Sequence, residues 1–307
     1  MSAVTGTSDD IRRAYDRVLA GTTVRSGAIE VGGRRVHLLR GGAGAPIVLL
    51  PGAGGTAGFF APLLNELRGV RILAPDRPGQ GLSDPVDLPR TRYRESAVSW
   101  LDRLLDALGL DTTTLLGHSG GAMWALWYAL DRPARVDRLV LIGPPAIPGT
   151  RARLPHRVAG TPGLGDLLPR LGSPSPAAVL RFAHHAARER ETLARYPELI
   201  DLFVATMGDP VNDRVTRDEV RVFVSPFALL SPSGFRRRAR VQPDELRRVT
   251  VPTLVVWGER EPLGAVPVAE AFTAAIPHAR LVTPPGGHAP WLGEPAGLAA
   301  AVSELMR

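Results

Sequence analysis

The chain has 307 residues, 44% of them apolar, a formal net charge of +7 and no cysteine. Disulfides, thiol catalysis and cysteine-held metals are excluded, and the apolar share is that of a globular core. All 37 basic residues are arginine, scattered except at Arg236-Arg237-Arg238; without basic clusters interleaved with aromatics, the charge reads as compositional bias rather than a nucleic-acid surface.

Residues 1–25 read as an amphipathic helix and a polar turn. Asp9, Asp10, Arg12, Arg13 and Arg17 interrupt any apolar core of the kind a secretory signal needs. No apolar run is long enough to span a bilayer. These observations predict a cytoplasmic protein with no membrane partner.

Ala28–Val31 and Arg34–Leu39 read as two strands joined by the turn dipeptide Gly32-Gly33. Pro46–Leu50 is a short all-apolar run, the pattern of a strand covered on both faces. Helix and strand signals then alternate: helix over 57–68, strand over 70–74, helix over 93–108, strand over 113–116, helix over 119–130, strand over 136–142. Such alternation implies a mostly parallel central sheet flanked by helices, an α/β fold. From Pro144 to about Arg248 the rhythm breaks. Leu180–Arg195 and Glu198–Met207 read as helices, and Val220–Val224 is the nearest thing to a strand. Alternation resumes with a strand at 253–256, a helix at 266–276, a strand at 280–282 and a helix at 296–306. The prediction is a core of residues 1–143 and 249–307, with 144–248 inserted as a mainly helical cap.

The residues with chemistry lie at strand ends. Gly117-His118-Ser119-Gly120-Gly121 matches G-x-S-x-G between an apolar strand and an apolar helix, the context that a strained strand–turn–helix nucleophile needs. Small neighbours let the turn close and push the hydroxyl of Ser119 clear of the sheet, at the positive end of a helix. The competing reading of Ser119 as a plain helix N-cap does not explain the doubled glycines. A serine hydroxyl is a poor nucleophile near neutral pH without a base. Of the seven histidines, His288 lies after the last strand in a Gly-Gly-His-Ala-Pro-Trp loop. His118 adjoins the serine and is expected to pack beneath the turn; His37 reads as a sheet-face residue. The base needs a carboxylate to orient it, and Glu261 and Glu259 follow the strand at 253–256. Glu261 is favoured, with Glu259 the alternative. The segment after the strand at 136–142 has no acid up to Thr150. For oxyanion donors, the amides of Gly120 and Ala53 are favoured, with Gly54 as second choice in the glycine-rich loop after Leu50. That loop lacks the Lys-Ser/Thr ending of a phosphate-binding P-loop. Phe59, Met123, Trp124 and Trp291 are candidate substrate-pocket walls.

These motifs together resemble the α/β-hydrolase superfamily, over essentially the whole chain outside the cap. Gly117–Gly121 looks like its nucleophile elbow and Pro51-Gly52-Ala53-Gly54 like its oxyanion loop, with Pro51 where a histidine is usual. Asp76-Arg77-Pro78-Gly79-Gln80-Gly81-Leu82-Ser83 resembles a structural turn of the family. Trp257–Glu261 resembles its acid loop, with glutamate where aspartate is usual, and Gly287–Trp291 its histidine loop. The resemblance implies a Ser119–His288–Glu261 triad, no metal or organic cofactor, and a small-molecule substrate. Oligomeric state is left open. Ser119 argues against epoxide hydrolases and haloalkane dehalogenases, which carry aspartate there. The implied reaction is cleavage of a carboxylic ester or lactone. The alternatives are an acyltransferase, lyase, carbon–carbon hydrolase or cyclase on the same fold, or a ligand receptor without turnover.

Overall fold

The computed structural model describes residues 7–167 and 174–307. The first six residues of the predicted N-terminal helix lie outside that range. Helix α1 spans Ser8–Leu19, capped by Thr7 and Asp10, and buries Ile11, Ala14, Tyr15 and Val18.

Eight strands form one sheet: β1 Arg25–Val31, β2 Arg34–Gly42, β3 Ala45–Leu50, β4 Val70–Pro75, β5 Thr113–His118, β6 Val136–Ile142, β7 Thr253–Val256 and β8 Ala279–Val282. Their order is β1-β2-β4-β3-β5-β6-β7-β8. The hairpin strand β2 runs antiparallel to β1 and β4; every other pairing is parallel. The central strands are apolar on both faces because helices cover both, so alternation is absent where burial is deepest. Ile47, Val48, Leu49 and Leu50 of β3 are all fully buried.

Helices α2 (Tyr93–Ala107) and α3 (Gly120–Asp131) flank the sheet, with α6 (Val266–Ala274) and α7 (Pro295–Met306) near the C-terminus. The cap follows β6 and precedes β7. It holds short helices at 154–160, 176–182 and 190–193, then α4 (Pro197–Gly208) and α5 (Pro210–Phe223). Three expectations change here. The single helix over Leu180–Arg195 is broken: a π-turn at Ala183–Ala187 ends in Arg188 at φ 57°, a left-handed residue that no helix continues through. Val220–Val224 is not a strand; most of it closes α5, whose start is fixed by Asp209 accepting the amides of Val211 and Asn212. Within the β-like run Val220–Val224, Val222, Phe223 and Val224 are buried, while Arg221 pairs with Asp166. The helix expected over 57–68 is also shorter, a 3-10 turn at Ala57–Phe60 followed by Ala61–Leu64.

The turn after β4 joins core to cap. Asp76 is fully buried and accepts from Tyr15, from the amides of Ala57 and Leu82, and pairs with His37 at 2.8 Å. Arg77, one residue on, reaches out of the core to a cap carboxylate, Glu219. Among the described residues no helix is long and apolar enough to cross a membrane.

Candidate active site

Ser119 stands between β5 and α3 at φ 52°, ψ −119°, a conformation that a residue with a side chain rarely adopts. Two things hold it there. Its amide donates to Ile142 of the neighbouring strand at 2.8 Å, and its carbonyl accepts from Ala122 at 2.9 Å to start the helix. The close approach of β3 explains the glycine at 121: a Cβ there would lie 2.1 Å from the Leu50 carbonyl oxygen. The Ser119 hydroxyl makes no helix-capping bond, so its oxygen is not committed to the backbone.

The histidine loop and the acid loop meet at the same end of the sheet. His288 Nδ1 lies 2.9 and 3.0 Å from the two carboxylate oxygens of Glu261. That geometry makes Nδ1 the protonated nitrogen and leaves Nε2 for another partner. Glu261 also accepts the Leu263 amide at 3.2 Å and is buried, whereas Glu259 is exposed. The extra methylene of a glutamate needs room, and Gly143 at the end of β6 supplies it. A Cβ at 143 would come within 2.8 Å of His288 Nδ1 and 3.0 Å of Glu261 Oε2. Burial pulls the His288 pKa down, but the adjacent Glu261 carboxylate and, further off, that of Glu189 outweigh it and hold it above the ordinary imidazole value.

A cavity of about 300 Å³ opens over these groups and is roofed by the cap. Ser119, His288, Ala53, Gly54 and Gly120 all line it. Glu261 stands behind the imidazole, outside the lining. No hydrogen bond joins the Ser119 hydroxyl to the imidazole, although both groups line the cavity; such bonds often tighten only when substrate is bound. The amides of Ala53 and Gly120 donate to no acceptor among the described residues, and a Cβ at Gly120 would lie 3.4 Å from the Ala53 nitrogen. Two uncommitted N–H groups therefore lie near each other at the cavity that Ser119 lines.

Of the four predicted walls, Phe59 lines the cavity. Met123, Trp124 and Trp291 do not; they are core residues. Trp124 packs edge-on against Trp100 and Tyr93 beneath the Arg77 guanidinium. Trp291 supports the site from behind, stacked edge-on against His118 with its indole N–H on the Phe59 carbonyl. Helix α3 is buried all round, so its periodicity carries no sign of which side meets the cavity. The walls are instead cap residues such as Val179, Phe182, Phe203, Phe223 and Phe235.

Three further polar residues stand beside these groups. His118, expected to pack beneath the turn, is buried but lines the cavity, and its Nε2–H donates to the His288 carbonyl at 3.0 Å, fixing the loop. Burial and then the nearby His288 charge hold its pKa well below the ordinary value, so it stays neutral. His156 lines the cap side of the cavity, its pKa lowered by burial to about 4. Glu189, also in the cap, grips the histidine loop. Among the described residues no cluster of three or more acids and histidines is placed to hold a metal.

The α/β hydrolase fold family model matches residues 45–295. The chain belongs to this family. Among its hydrolase relatives is the 2-hydroxy-6-oxononadienedioate/2-hydroxy-6-oxononatrienedioate hydrolase of Cupriavidus pinatubonensis, 30% identical over 84% of each chain. A polyketide synthase of Burkholderia thailandensis is 33% identical over 87% of this hydrolase-fold chain, which spans 12% of the synthase. Carboxylesterase CesB of Bacillus subtilis shares the fold at TM-score 0.69 and 22% identity, over 97% of this chain and 98% of that one.

Proposed function

We propose that the protein is a serine hydrolase that cleaves a carboxylic ester or lactone with an apolar acyl part. Ser119 attacks the carbonyl while His288 Nε2 takes its proton and Glu261 stabilises the imidazolium. The Ala53 and Gly120 amides hold the oxyanion. His288 then protonates the leaving alcohol, and water, activated by the same imidazole, releases the acid from Ser119. The observation that carries this reading is the cavity itself: a serine, an oriented imidazole and two free amides open into one largely apolar chamber. Among the described residues, the arginine that lines it, Arg217, is paired with Asp213.

That pairing weighs against a dicarboxylate substrate of the kind the Cupriavidus relative's name describes. Such a dienedioate has no ester, so a hydrolase acting on it must break a carbon–carbon bond, and its two carboxylates favour a more polar chamber than this one. The relative's 30% identity is nevertheless a specific ground for carbon–carbon cleavage as the second reading. A panel of aliphatic esters and lactones set beside a 2-hydroxy-6-oxo-dienoate, assayed in ¹⁸O-labelled water, separates the two. Label in the acid product of the esters supports the first reading; turnover of the dienoate alone overturns it.

The acid assignment and the pH dependence are testable together. Glu261→Gln is expected to lower kcat about 10²- to 10⁴-fold, by losing the tautomer and the charge that steady His288. Glu259→Gln is expected to leave kcat near wild type, because that carboxylate is exposed and bonds nothing. The base must be neutral to accept a proton, and its pKa is raised. The kcat/KM profile should therefore fall toward acid with a midpoint above the ordinary imidazole value of 6.5. A midpoint below that value would mean that the Glu261 and Glu189 carboxylates do not outweigh burial at His288.

A further inference from the structure

One buried carboxylate touches the histidine loop without touching the imidazole. Glu189 is 2% exposed, sits in the cap between the π-turn and the helix at 190–193, and faces the cavity. Its Oε1 accepts the Gly287 amide at 2.6 Å and the Ala289 amide at 3.1 Å. Between them, the His288 amide donates to the Ala187 carbonyl at 2.9 Å. Three consecutive N–H groups of the loop that carries the imidazole are thus held by a three-residue stretch of the cap. The other carboxylate oxygen accepts from the Thr192 hydroxyl, which fixes the side chain. The clasp has a backbone cost: Arg188, between its two gripping residues, stands at φ 57°, a conformation strained for a residue with a side chain. It also leaves no room at 287, where a Cβ would lie 2.2 Å from the Ala187 oxygen.

We infer that Glu189 is a positioning residue for His288, acting through the amides on either side of it, so that the base is aligned only while the cap is docked. The inference rests on the reading of His288 as the base. Glu261 orients the ring from the core, and Glu189 orients the backbone that carries the ring from the cap. Four titratable groups face the imidazole: Glu261 from the loop after β7, Glu189 from the cap, His118 from the end of β5 and His156 from the helix at 154–160. Burial keeps both of these histidines neutral near pH 7, so the local field on His288 is that of two carboxylates. Burial raises the pKa of Glu189 itself, against the bonds from Thr192, Gly287 and Ala289.

Two substitutions separate the grip from the charge. Glu189→Ala removes both; Glu189→Gln keeps an acceptor oxygen and loses the charge. Alanine is expected to lower kcat on a short ester about 10- to 100-fold with KM nearly unchanged, the scale of a catalytic group displaced by about 1 Å. Amide exchange at Gly287 and Ala289 should speed up in parallel. Glutamine should restore most of kcat and slow the exchange again, yet lower the His288 midpoint, read by NMR titration of the ring. Wild-type kcat and exchange in Glu189→Ala would overturn the inference. So would a glutamine variant, folded as wild type, whose ring titration is unmoved and whose kcat stays at the alanine level. Ring titration and amide exchange need no substrate. A wild type inert on every ester would defeat the ester reading, while those two signals still decide whether Glu189 positions the loop.

Discussion

Ser119→Ala is expected to lower kcat by about four to six orders of magnitude and to leave the fold intact. The loss is that large because the attacking oxygen is gone, while the free amides of Ala53 and Gly120 still bind and polarise the carbonyl. Stability should hardly change, since the Ser119 hydroxyl caps no helix and alanine meets the same backbone strain. A third residue at this position exposes that strain. Ser119→Gly should be inactive yet more stable than wild type by about 1 kcal/mol, because glycine adopts φ 52° without a Cβ penalty. An organophosphate should add its mass once to the wild type, on the peptide holding Ser119, and not to either variant. Turnover by Ser119→Ala within tenfold of wild type would defeat the acyl-enzyme mechanism.

Much of this geometry was readable before any coordinates. Buried parallel strands announce themselves as short apolar runs, and β3, β5, β6 and β7 fall where those runs lie. The elbow was legible because a tight strand–helix turn forces small residues at fixed places, Gly117 and Gly121. Glu261 and His288 stand out in the sequence because catalytic groups gather at the carboxyl ends of such strands, and the fold brings the two side chains together at 2.9 Å. The cap was not legible in detail. Its short helices are held by tertiary contacts rather than by periodicity, and α5 hides a charged helix behind the β-like run Val220–Val224. The walls were misread for a related reason: on a helix buried on every side, Met123 and Trp124 carry the same apolar signal whether they face cavity or core. Nothing in Ala187-Arg188-Glu189 distinguishes that glutamate from its solvated neighbour Glu191; only the fold brings it to Gly287 and Ala289.

The ion pair between core and cap should be the costliest to break from one side. Arg77 and Glu219 are both buried, joined by bonds of 2.6 and 2.8 Å, with Gln80 adding a third bond at 3.1 Å to the same carboxylate. Burial alone would push a proton off Arg77, but the Glu219 carboxylate more than offsets it and raises its pKa. Glu219→Ala should therefore destabilise by about 3–5 kcal/mol, since a guanidinium stays buried with no counter-charge. Arg77→Met should cost a similar amount. The double variant Arg77→Met/Glu219→Leu should be less destabilised than either single, because neither charge is then stranded.

Catalysis should separate the two singles that stability does not. Glu219 Oε1 would lie 2.5 Å from a Cβ on Gly120, so this carboxylate stands directly behind a proposed oxyanion donor. A bare negative charge there opposes the oxyanion, and Arg77 cancels it. Arg77→Met should accordingly lower kcat about 10- to 100-fold, or about 1.4–2.7 kcal/mol in barrier. Glu219→Ala, which leaves the arginine's charge in place, should keep kcat near wild type. Thermal melts check the first comparison and steady-state kinetics well below the melting point check the second. Equal kcat losses in the two singles would mean that the pair only fastens the cap and exerts no field on the reacting carbonyl.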